Sequence, residues 1–161
     1  MLRARPIVLL LATLVLSAIS SAAQDEVYYP QGYRSWTVAK FKFIGPESAA
    51  WAAQGGLRHH FANGVALASW GKFDDGAVIV DERVHTVLDD RNVWQEAGIA
   101  HVAVMRKDAA GHADTGGWSF NFFPEADTSR GITREQAKTR CFDACHKTQE
   151  ARDYVFSDPR R

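Results

Sequence analysis

Thr133-Arg134-Glu135-Gln136-Ala137-Lys138-Thr139-Arg140-Cys141-Phe142-Asp143-Ala144-Cys145-His146 is the stretch on which the reading of the fold turns. Thr133, with Gln136 three positions on, makes a capping box, and Arg134 to Ala151 contains no Gly or Pro, so the pattern predicts one helix from Arg134 to Ala151. Everything between Tyr33 and Phe123 reads mainly as strands. Strands first and a helix last predict an α+β domain: an antiparallel β-sheet with packed helices, its C-terminal helix carrying the run Cys141 to His146.

Working back from that helix, Gly116-Gly117 opens a strand through Trp118, Phe120, Phe122 and Phe123, and Ile99 to Met105 alternates around His101 as another. Asp74-Asp75-Gly76 marks a tight turn, after which the β-branched Ala77-Val78-Ile79-Val80 begins a strand reaching about Val84. Leu57 to Phe61 is a strand ended by Asn63-Gly64, and Val65 to Trp70 forms a helical turn or two. Tyr33 to Phe43 alternates as the first strand until Gly45-Pro46 breaks it. Glu47 to Gln54 is Ala-rich and helical until Gly55-Gly56.

Two thiols followed at once by an imidazole can hold a haem covalently. Each thiol adds to one vinyl group of the porphyrin, and the adjacent His146 ligates the iron from the same side. The usual spacing puts two residues between the cysteines; here Phe142, Asp143 and Ala144 make three. On a regular helix Cys141 and Cys145 share a face and His146 points about 100° further round, so one thioether is expected to be strained or absent, with Cys145 the safer attachment point. The alternative use of the thiols is a disulfide, which helical geometry tolerates but which closes too short a loop to stabilise much.

Met1-Leu2-Arg3-Ala4-Arg5 is basic, Ile7 to Ile19 is almost continuously apolar, and Ser20 to Ala23 is small. Residues 1–23 therefore read as a secretory signal peptide, which places residues 24–161 as one exported domain, periplasmic in setting. The whole chain balances 19 basic against 19 acidic residues, and removing the segment takes away Arg3 and Arg5 but no acid. Near-neutral charge without a basic cluster gives no electrostatic footprint for nucleic acid.

A sixth iron ligand has several candidates: Met105, the only methionine after residue 23, and His59, His60, His85, His101 and His112. Met105 fits a core role on its strand, and a lone histidine is more often structural than metal-bound, so the iron is expected to be five-coordinate with an open side. An apolar open side favours a neutral diatomic gas, and a polar group there favours proton-coupled chemistry. Phe61, Trp94, Trp118 and Phe120 read as core, with some aromatics left to line a porphyrin slot.

Several stretches, in order, resemble the cytochrome P-460 and cytochrome c′-beta group of periplasmic mono-haem proteins. They are Tyr29-Pro30-Gln31-Gly32-Tyr33-Arg34-Ser35-Trp36, Asn63 to Trp70, Phe73-Asp74-Asp75-Gly76-Ala77-Val78-Ile79-Val80, Gly116-Gly117-Trp118-Ser119-Phe120, and Cys145-His146 followed by Asp153-Tyr154-Val155-Phe156. The resemblance implies an antiparallel-sheet domain, usually a homodimer, carrying one c-type haem (heme c) on the motif histidine, His146. Its hydroxylamine-oxidising members bear a lysine bonded to the porphyrin edge at the place Asp81 holds here, and a carboxylate cannot make that bond. The resemblance thus points toward members without a cross-link, which bind nitric oxide or carbon monoxide at an apolar face. Hydroxylamine or nitric oxide oxidation, and electron transfer to a redox partner protein, stand as the other readings.

By strand alternation Ala77, Ile79, Asp81 and Arg83 share a face. Asp81 is then either an exposed strand-end carboxylate paired with Arg83 or a hydrogen-bonding or proton-relaying group near a bound ligand.

Overall fold

Alternation along the third strand sorts the side chains onto two faces, and the rest of the molecule is arranged on them. In this computed structural model, which describes residues 28–158, five strands form one antiparallel meander in the order β1-β2-β3-β4-β5. They are β1 (Thr37–Ile44), β2 (Gly56–Ala62), β3 (Val78–Leu88), β4 (Trp94–Lys107) and β5 (Trp118–Pro124). Short helices α1 (Trp51–Gln54), α2 (Gly64–Ala68) and α3 (Arg134–Ala137) lie between and after them. The segment read as an export signal lies outside the described residues.

On one face Ile79, Met105, Trp118 and Phe120 pack with Phe73, Ile132, Ala137, Phe142 and Val155, which come from the connections and from the C-terminal region. On the other, Phe61, Val78, Val80, Val102, Val104 and Phe123 lie under Tyr33, with Tyr28 and Tyr29 at the margin. Each large apolar side chain fully withdrawn from water contributes about 1.5–3 kcal/mol, so both faces need a cover and both have one. Glu82 is buried on the second face and is satisfied by the Tyr33 hydroxyl, which donates to it, and by Arg34 Nε at 2.8 Å. Burial and this carboxylate push the Tyr33 phenol well above its ordinary range, so it stays a donor.

The α+β arrangement is as expected, but three elements differ in extent. Tyr33–Ser35 is a turn of 3-10 helix entered through Gly32 at φ +71°, so β1 starts at Thr37 rather than Tyr33. Only Trp51–Gln54 of the expected Glu47 to Gln54 helix is helical. The Ser48 hydroxyl and carbonyl take the amides of Ala50 and Trp51 in a local turn that competes with the first helical bonds. The β3–β4 hairpin runs well past Val84 and Ile99, because register shifts at Arg83/Val84 and Val84/Thr86 break the alternation while pairing continues to Leu88 and Trp94. Asp89 closes the hairpin by accepting from the amides of Arg91 (2.9 Å) and Val93 (2.8 Å).

The C-terminal segment is fastened to the sheet at Asp153. This residue and Tyr154 both adopt positive φ, 49° and 64°, which turns the chain sharply. The Asp153 carboxylate accepts from the Phe73 amide (2.9 Å) and from Lys107 Nζ (2.6 Å), and its carbonyl accepts from Trp118 Nε1 (3.0 Å). Gly116, at φ +67°, passes under the Tyr154 ring where a Cβ would collide with it. Replacing Asp153 with Ala leaves Lys107, whose side chain is 11% exposed, without its counter-charge. The expected loss is about 2–4 kcal/mol of unfolding free energy, read from the urea midpoint at constant slope.

Candidate functional site

The expected single helix is three pieces. The capping box forms as read, with the Gln136 amide donating to Thr133 Oγ1 (3.3 Å) and the Thr133 amide to Gln136 Oε1 (3.0 Å). After α3, Lys138–Asp143 is a π-helical turn, and His146–Arg152 is 3-10 helix. Between them Cys145 leaves helical geometry at φ −137°, ψ −63°, its amide shared between the carbonyls of Cys141 (3.2 Å) and Phe142 (3.3 Å). A turn closed by i→i+5 bonds takes up one residue more than an α-turn. The chain can therefore carry an additional residue between its cysteines, keep Ala137 and Phe142 in the core, and still bring Cys141, Cys145 and His146 to one cavity.

That cavity, of about 430 Å³, opens on the first face of the sheet. Ile79, Met105, Phe120, Phe122, Val155 and Phe156 give it apolar walls, and Arg58, His60, Asp81 and His101 give it a polar wall. The His146 ring packs against Phe120 (4.9 Å between centroids) and Phe156 (5.0 Å). Its Nδ1 lies 2.7 Å from the carbonyl oxygen of Tyr154, and because a carbonyl only accepts, the proton is on Nδ1 and the Nε2 lone pair is free. Burial pulls the imidazole pKa down, which also keeps the ring in the form that ligates a metal. Such a hydrogen bond on the far nitrogen is how proteins fix a ligating histidine.

Both cysteines are free thiols, Cys141 half-buried and Cys145 exposed, and burial pushes the Cys141 thiol up, so it is protonated. Met105 belongs to the core and also borders the cavity. Of the other histidines, His60 and His101 line it. His59 lies on the opposite face against Phe41, His85 is exposed, and His112 sits before the turn Ala113–Thr115. Phe120 joins the site, Phe61 and Trp118 are core, and Trp94 packs with Phe43 and Trp51 at the hairpin end.

Asp81 shares a face with Arg83 and is paired, but with Arg58, whose Nε donates at 3.2 Å and whose NH2 closes a second contact. Arg83 instead donates to the carbonyls of Ala53 (2.9 Å) and Gly55 (2.8 Å), groups that the end of α1 leaves open. Asp81 is therefore a cavity-wall carboxylate rather than an exposed strand-end one. Sequence reading passed over Arg58, Ser157 and the Tyr154 carbonyl. Period-two alternation from His60 pointed to Arg58, while the other two become visible only once the chain after His146 folds back.

These residues fit a porphyrin. A neutral imidazole with its Nε2 lone pair free, two thiols, an apolar slot and a histidine, His60, whose buried Nε2 has no partner all line one cavity. Among the described residues no three His, Cys, Asp or Glu side chains converge to cage a bare ion, so iron held at His146 needs equatorial donors that a macrocycle brings. The fold and site thus define a haem-binding sheet domain. The model of the cytochrome P460 family matches residues 30–157, and the chain belongs to that family; it is a haem-binding cytochrome. No curated protein matches it.

His101 carries a consequence for stability. Its pKa is lowered to about 4, first by burial and then by the charges of Arg58 and Arg83, against the pull of Asp81. A folded value below the ordinary 6.5 means the fold favours the neutral ring, so stability is full above pH 6.5 and is lost as pH falls from there toward 4. Urea unfolding at pH 7 and pH 4.5 is expected to show that loss, and His101→Phe should shrink it without abolishing it, since burial lowers His60 in the same direction.

Proposed function

We propose that this protein is an exported, periplasmic mono-haem c-type cytochrome whose five-coordinate iron binds nitric oxide or a related small nitrogen ligand. The observation that carries the reading is His146, tied at Nδ1 to Tyr154 and open at Nε2 beside Cys141 and Cys145. In this reading His146, its ring held by Phe120 and Phe156, would ligate the iron, and Cys141 and Cys145 would bind the macrocycle through thioethers. The bound haem supplies an iron with one vacant coordination position. The chain supplies an apolar wall, Ile79, Met105, Phe120 and Phe122, that suits a neutral gas.

Oxidation of hydroxylamine is less well supported, because the lysine that the resemblance associates with it is replaced by Asp81, already engaged by Arg58. Secretion from a host with cytochrome maturation machinery should give a coloured protein heavier by one haem, with a high-spin spectrum that changes on adding nitric oxide. Colourless material, or a Cys141–Cys145 disulfide with no added mass, sinks the proposal. Cys141→Ser and Cys145→Ser should each retain haem through acid-acetone extraction by the remaining thioether, and the double variant should release it.

The proposal includes a homodimer. Strand β1 is a sheet edge, and Val38, Phe41 and Phe43 on it are 41%, 41% and 40% exposed, an apolar edge that a second copy would cover. Light scattering should find a dimer for the native chain and a monomer for Phe41→Glu/Phe43→Glu.

A further inference from the structure

His60 stands with its ring on the polar wall of the cavity, 8% exposed, and its two nitrogens have different fates. Nδ1 lies 2.6 Å from the Ser157 hydroxyl. Nε2 is buried without a hydrogen-bond partner, 3.7 Å from the nearer oxygen of Asp81. That separation is too long for a hydrogen bond, and Asp81 is already held by Arg58. It is short enough for the carboxylate charge to settle which nitrogen carries the proton. A negative group beside Nε2 favours Nε2–H, and the Ser157 hydroxyl, which can donate or accept, then donates to Nδ1. A buried N–H left unmet costs on the order of 1–3 kcal/mol, so the arrangement persists best when something else in the cavity accepts it.

Resting on the haem reading above, we infer that His60 is a binding residue for the iron's exchangeable ligand, offering Nε2–H as a hydrogen bond to the ligand's electron-rich outer atom. An Nε2 that bears a proton has no lone pair for iron, so His60 is a donor to the ligand and not a sixth ligand. The ligand class follows: small molecules that gather negative charge away from the metal-bound atom, such as nitrogen–oxygen diatomics and azide, in preference to purely apolar guests. Ser157 is the positioning residue, since its hydroxyl holds the ring at Nδ1 and leaves Nε2 unpartnered.

Carbon monoxide on the reduced protein and azide on the oxidised protein are the probes. In His60→Leu the C–O stretching frequency should rise, because a donor near the outer oxygen lowers it, and azide affinity should fall about tenfold, as expected for one lost hydrogen bond to a charged acceptor. His60→Gln, which keeps an N–H at similar reach, should hold both readouts near the native values and guards against a folding defect in the leucine variant. Native haem and carbon monoxide binding with an unchanged frequency and azide affinity in His60→Leu overturns this inference alone. A native spectrum that is low-spin and becomes high-spin in His60→Leu overturns it too, by making His60 an iron ligand. A native protein that takes up no haem removes the underlying reading along with it.

Discussion

Asp153 determines where His146 can be. A carboxylate that takes the Phe73 amide and Lys107 at once, with a backbone carbonyl that takes the Trp118 indole, anchors the left-handed turn from which Tyr154 presents its carbonyl to His146. The ring is fixed from behind by a main-chain acceptor and at its sides by Phe120 and Phe156. A ligating imidazole has to be neutral and oriented; this anchorage orients the ring, and burial, against the pull of the Tyr154 hydrogen bond, keeps it neutral. The 3-10 helix His146–Arg152 alone is too short and too irregular to do so.

The cavity is asymmetric for a reason that lies in the sheet. On the first face β4 and β5 supply mostly apolar side chains, while toward β2 the same face carries Arg58, His60, Asp81 and Arg83. Arg58 and Asp81 neutralise each other, and Arg83 is consumed by the end of α1. Burial holds His60 and His101 neutral. The polar wall therefore presents little net charge to the space it borders, and what is inferred for His60 is direction, an Nε2–H set by Ser157 and by the field of Asp81.

The strands were legible wherever alternation was uninterrupted, as in Val78 to Val84 and Trp118 to Phe123. The extent of the β3–β4 hairpin at the Val84 bulge and that of the helix before Gln54 at the Ser48 turn were not legible, because those depend on pairing register and local hydrogen bonds rather than on periodicity. The capping box at Thr133 fixed where the last helical region starts. Its later course through a π-turn was not visible, since helix propensity is indifferent to whether a turn closes at four residues or five.

By itself the sequence determined the α+β class and the face on which Asp81 lies, and it singled out the two cysteines and the histidine of the proposed haem site, because each follows from residue chemistry or from a period of two or 3.6. Only the tertiary structure decided that Asp81 answers Arg58 and not Arg83, that His60 on the cavity wall keeps a buried nitrogen without a partner, and that Tyr154 orients His146. These are contacts between segments distant along the chain. They depend on strand register and on a single left-handed turn at Asp153, neither of which leaves a periodic mark in the sequence.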